Sequence, residues 1–139
     1  MKRLLLFLLF TLSLFANDQK AQSKIIDTIL NNISFQEQKL IYSDDKQLLE
    51  TLGVNHSITY DSNKANLLIL QDSKNLPKNY KNKKIFVLNY KLLSKVPESF
   101  GAFFFKKGRA NIIFLKPKLK QNNIEITNKL EPYLEDKIW

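Results

Sequence analysis

Ile25, Ile26, Ile29, Leu30 and Ile33 recur at three- and four-residue intervals, which predicts a helix over residues 21–33 with one apolar face. The period then changes. Lys39–Ser43 reads as a short strand, and Asp44 is placed to cap a helix that runs through Leu52 and stops at Gly53. His56–Tyr60 is a second strand candidate, Asn66–Leu70 a third and Lys84–Tyr90 a fourth. Residues 67–70 and 85–88 are apolar without a break, the pattern of strands covered on both faces.

Tyr90–Val96 predicts one or two helical turns closed by Pro97. Residues 99–105 and 110–115 are two further strands around Lys106-Lys107-Gly108-Arg109, where glycine can take the positive φ of a tight turn. Beyond Pro117 the pattern is polar as far as Ile124-Glu125-Ile126. A terminal helix is expected to start with Pro132 as its first residue, with Trp139 packed at its end. Strands alternating with short helices predict an α/β fold: one domain, a three-layer and largely parallel sheet, a C-terminal β-hairpin and a terminal helix. No internal repeat or long linker interrupts it.

The first sixteen residues stand apart. Lys2 and Arg3 precede an apolar span, Leu4–Phe15, broken only by Thr11 and Ser13, and Ala16 meets the polar run from Asn17. That arrangement predicts a signal peptide over residues 1–16, cleaved after Ala16, and export to the periplasm. The span is shorter than the twenty or so apolar residues of a membrane-crossing helix, although an uncleaved anchor is the competing reading. Residues 17–139 then form the single α/β domain, large enough to build a core without staples.

Composition removes several functions. The chain has no cysteine, so disulfides and thiol catalysis are absent. Its formal charge is +9, of which Lys2 and Arg3 supply two, but the positive charge is scattered lysine. Arg109 is the only arginine beyond the leader. Nucleic-acid binders gather Arg and Lys on one face, so no nucleic-acid partner is expected. Weak interaction with anionic surfaces fits the charge better. His56 is the sole histidine, too few for a zinc site. Asp44, Asp45 and Asp61 show no calcium-loop spacing, and three glycines cannot make a phosphate-cradling loop. No G-x-S-x-G occurs. The expectation is a protein that is not an enzyme, with no cofactor and no metal.

What remains is Phe100–Phe114, five phenylalanines around one arginine. Strand alternation puts Phe103 and Phe105 on one face and Phe104 with Ala102 on the other. Such a hairpin can simply fill the core. It can also offer aromatic side chains beside cations, the composition of binding hot spots. The candidate partner surface is Phe104, Lys106, Lys107 and Arg109. A second candidate follows from the rule that ligands sit beyond the C-terminal ends of strands in open α/β sheets. It would place Gln71, Asp72, Asn89 and Tyr90 at a pocket, with Arg109 as a carboxylate clamp.

The order of early helix, "KLIYS", "DDKQLLETLG", "NLLIL", "KIFVLNY" and "GAFFFKKGRANIIF" resembles the YfiR-like family of small periplasmic proteins. The chain also resembles uncharacterised small periplasmic proteins with an FGAFFxxKGRxNIxF stretch and an Ile-Trp terminus. The family's Trp-Pro is replaced by "NNISFQ", and its cysteine pair is missing. The resemblance implies a non-enzymatic accessory or regulatory protein that binds the external domain of a membrane-anchored signalling protein. A periplasmic small-molecule (solute) binding domain is the alternative.

Overall fold

The computed structural model describes residues 19–138; the leader expected over residues 1–16 and Trp139 lie outside the described residues. The described helix α1 covers residues 19–31. It is followed by β1 (Ile33–Ser34), β2 (Ile41–Ser43), α2 (Lys46–Leu52), β3 (Leu67–Leu70), β4 (Lys84–Val87) and α3 (Leu92–Lys95). Then come β5 (Ser99–Lys106), β6 (Arg109–Leu115), α4 (Lys116–Gln121), β7 (Glu125–Ile126) and β8 (Leu134–Glu135). The architecture is mixed α/β around a mostly parallel six-stranded sheet of order β2-β3-β4-β5-β6-β8, with β1 and β7 as a separate antiparallel pair.

The unbroken apolar runs explain the layering. Leu67, Ile69 and Phe86 face a cluster built with Ile26, Ile29 and Leu30 of α1, Leu48, Leu49 and Leu52 of α2, and Phe100, Phe103 and Phe114. Leu68, Leu70, Ile85 and Val87 face the other way, against Leu92, Leu93 and Val96. Because successive side chains leave a strand on opposite sides, a strand with a core on each face must be apolar throughout.

Residues 56–60 do not form the strand their pattern predicts. Only Ile58 pairs, through a parallel bridge to Ile41. Ile41 N–H donates to Ser57 O at 3.0 Å and Thr59 N–H donates to Ile41 O at 2.8 Å. The bridge nevertheless sets the topology. The chain leaves β2, passes along α2 to this outer edge, then returns past β2 to enter β3. That reversal is the switch point of a doubly wound sheet, and it lies between β2 and β3.

One irregularity reshapes β5. Ile85 pairs with Ser99, but Phe86 pairs with Gly101, so Phe100 is an extra residue. This bulge turns Phe100 to the same side as Phe103, where Phe100 stacks on Phe114 with centroids 6.5 Å apart. A Cβ on Gly101 would meet Ile113 O at 2.6 Å, so the close approach of the two strands requires glycine here.

Three expectations need correction. Asp45, not Asp44, caps α2, its Oδ1 accepting from Leu48 N–H at 3.1 Å. The polar stretch beyond Pro117, whose pattern predicts no element, forms α4, and Pro117 sits in its first turn, where a helical position has no use for the missing N–H. That helix closes at Asn123, whose φ of 54° allows Ile124 N–H to reach Leu119 O at 2.9 Å. The expected terminal helix is absent: Pro132 sits inside a 3₁₀ turn (Asn128–Tyr133), and the chain then pairs as β8 in parallel with β6.

A buried lysine ties the lower sheet together. Lys83 Nζ donates to Asn63 O at 2.8 Å and to Ala65 O, holding the 60–66 return segment against β4. Burial pushes its pKa below that of ordinary lysine, and Asp61 partly offsets the effect.

Candidate functional site

The sheet is uneven at one end, and that unevenness makes the site. Parallel pairing of β4 with β5 stops at Val87 and Ala102. The antiparallel pairing of β5 with β6 continues through Phe103–Ile112 and Phe104–Asn111 to Lys106–Arg109. Four residues of β5 therefore overhang the C-terminal end of β4, and at about 3.3 Å per residue the arm projects by about 13 Å. Its turn has two residues, Lys107 and Gly108, with φ of 52° and 76°. Positive φ at both central positions is the turn whose twist matches a β-hairpin. Glycine accepts this freely, whereas lysine does so at a cost.

After Val87 the chain bends away. Asn89 Oδ1 accepts from Lys91 N–H at 2.9 Å, and Asn89 O accepts from Leu92 N–H at 3.1 Å, which turns the backbone into α3. Between this turn and the arm lies a cleft of about 610 Å³. Its aromatic wall is Tyr90 against Phe104, edge to face with centroids 5.1 Å apart, while Leu88 and Phe105, whose ring packs on Phe103, border the cleft from the opposite face of the sheet. Asn89, Lys91, Lys106 and Asn111 complete the lining, and no carboxylate takes part. The volume falls in the usual range for ligand clefts.

Phe104 is half-buried against Tyr90 and the second core cluster; the exposed aromatic of the arm is Phe105, at 41%. Lys106, Lys107 and Arg109 are exposed at the tip, around a second depression of about 370 Å³ shared with Asn111. Among the described residues none of these three cations, nor Lys91, forms an ion pair. The tip is therefore a concentrated positive surface with an apolar side chain beside it.

The second set of expected residues divides. Asn89 and Tyr90 line the cleft, but Gln71, Asp72 and Arg109 do not. Gln71 and Asp72 follow β3 at the switch point, and its polar groups are spent on one another. Asp44 accepts from the backbone N–H of Gln71 at 2.8 Å and of Asp72 at 3.0 Å, and from Asn75 Nδ2 at 2.9 Å. Asp45 accepts from Gln71 Nε2 at 2.8 Å besides capping α2. Asp72 caps the next 3₁₀ turn through Lys74 N–H at 3.0 Å. Tyr42, beside this loop, has its pKa raised by burial first and by Asp44 second.

His56 is also engaged, its Nε2 lying 2.7 Å from Asp27 Oδ1 and joining the outer edge to α1. Among the described residues no group of three or more His, Asp or Glu is placed to hold a metal ion, and no helix is long and apolar enough to cross a membrane. Sequence reasoning missed Phe105, Lys91 and Asn111. Asn111 was findable, because it is the partner of Phe104 across the hairpin. The bend that brings Lys91 to the arm has no such signal. No known protein family, curated protein or solved structure matches this chain.

Proposed function

We propose that this chain is a non-enzymatic accessory or regulatory protein of the periplasm that binds the external domain of a membrane-anchored signalling protein through its overhanging arm. The observation that carries this reading is the tip itself. Among the described residues Lys106, Lys107 and Arg109 have no ion-pair partner, and they stand beyond the end of β4 next to the exposed Phe105. A projecting element with cations and one aromatic side chain suits docking into an acidic concavity on a protein partner. The YfiR-like order of elements and the N-terminal leader pattern support the same reading.

The test is a photo-cross-linker at position 107 in intact cells, with and without Arg109→Glu. The expected result is an adduct to one membrane protein with an external domain, lost or at least fivefold weaker in the charge-reversed variant. An adduct that survives Arg109→Glu undiminished rules out this surface.

The cleft beside Asn89 favours a second reading, a periplasmic small-molecule (solute) binding domain. Its site is then Asn89, Tyr90, Phe104 and Lys91, with Gln71, Asp72 and Arg109 outside it. A small mass retained on the purified protein would shift the weight to this reading.

A further inference from the structure

The geometry points to a planar aromatic anion, an arylcarboxylate or arylsulfonate, as the ligand class of the cleft between the arm and residues 88–91. This inference rests on the solute-binding reading and gives it a chemistry. Tyr90 and Phe104, in edge-to-face contact, form an aromatic wall on one side of the cleft. Flat rings gain more against such a wall than aliphatic chains of the same area, because offset and edge-to-face contacts add to burial.

The polar groups fix the sign of the charge. Lys91 and Lys106 both line the cleft, neither is in an ion pair among the described residues, and no Asp or Glu lies beside them. A cation ligand would meet uncompensated like charge on two sides. A neutral ligand would leave both ammonium groups unused. The amides add direction. Asn89 uses its Oδ1 on Lys91 N–H, and Asn111 uses its Nδ2 on Arg109 O at 3.0 Å. Their remaining polar atoms, Asn89 Nδ2 and Asn111 Oδ1, are one donor and one acceptor at the same cleft. An acid group with an ortho or meta hydroxyl or amine would satisfy both.

The probes are 2-naphthoate and its uncharged counterpart 2-naphthylmethanol, titrated into the purified protein at low and high salt and followed by amide NMR shifts and calorimetry. Saturable one-to-one binding of 2-naphthoate is expected, with shifts at residues 88–91, 104–106 and 111. It should bind about fivefold or more tightly than the alcohol at low salt, an advantage that shrinks as salt screens the two lysines. Lys91→Gln with Lys106→Gln should abolish that advantage and leave the alcohol unchanged. Phe104→Leu should weaken both probes. Equal binding of the two probes, or an advantage that survives the double variant, overturns the anion assignment while leaving the cleft as a binding site. Absence of shifts at these residues with either probe overturns the assignment and the solute-binding reading together.

Discussion

Tyr90 and Phe104 meet edge to face at 5.1 Å, and this contact joins the arm of β5 and β6 to the turn that follows β4. Neither side chain is deep in the core. Each belongs to an element that leaves the sheet, and the pair spans the gap where the pairing of β4 with β5 has ended.

Removing either ring should therefore loosen the arm more than the molecule. Phe104→Ala is expected to cost about 1–3 kcal/mol of stability, less than a fully buried phenylalanine. A double-mutant cycle with Tyr90→Ala should give a coupling of about 0.5–1.5 kcal/mol. Hydrogen exchange should quicken at residues 103–106 and 109–112 well before the rest of the sheet. Uniform acceleration across all strands would show that the contact supports the whole fold instead.

Gly101→Ala is expected to destabilise by about 2–4 kcal/mol in denaturant titrations, because the added methyl collides with the backbone oxygen of Ile113, which cannot step aside as a side chain could. Phe86 and Phe114 crowd the same place at 3.2 and 3.0 Å.

At the turn, Lys107→Asn should stabilise by about 0.5–1 kcal/mol, since asparagine tolerates the left-handed conformation that lysine occupies at φ 52°. The same change removes one cation from the tip. Partner affinity should fall while the melting temperature rises, a separation that a structural role alone would not give.

Asp44→Ala leaves the N–H groups of Gln71 and Asp72 and the Asn75 amide without their acceptor. A loss of about 2–3 kcal/mol is expected, against about 1 kcal/mol for Asp45→Ala, which removes a helix cap. Equal losses would contradict the division of labour between the two aspartates.

Alkaline stability should show two opposed contributions. Tyr42 titrates higher in the folded chain than in the unfolded one, so its contribution is complete below pH 10 and is lost above it as the unfolded state ionises first. Lys83 titrates lower when folded, so the unfolded chain holds the extra proton and stability rises with pH up to the ordinary lysine range. Tyr42→Phe should remove the fall above pH 10, and Lys83→Met the rise below it, in thermal melts between pH 8 and 11.

Much of the sheet was readable because a strand buried on both faces leaves an unmistakable run, as at Leu67–Leu70 and Ile85–Val87. The hairpin and its turn were readable from Gly108 and the flanking alternation. Other features depend on tertiary context that the pattern does not carry. Pro117 looks the same whether it ends a strand or opens a helix. Phe100 is a bulge in the pairing of β5 with β4, and β8 pairs because β6 offers it an edge. The two aspartates after β2 are chemically alike, and only the position of β3 decides which one caps α2. At the candidate site, Phe104 and Tyr90 were found singly. Their meeting follows from the unequal lengths of β4 and β5, which no local window contains.

The pairing of β1 with β7 has a consequence for the order of events during synthesis. Ile33 is opposite Ile126, Thr127 N–H donates to Asn32 O at 3.0 Å, and Thr127 Oγ1 donates to Asn32 Oδ1 at 2.7 Å. The segment that follows α1 is thus latched by residues 95 positions further along the chain. A nascent chain lacking them has α1 without its clasp and the cluster around Ile26, Ile29 and Ile124 incomplete. The clasp on α1 cannot close until Ile126 and Thr127 have been made, and a contact of such sequence separation is among the slow ones to form.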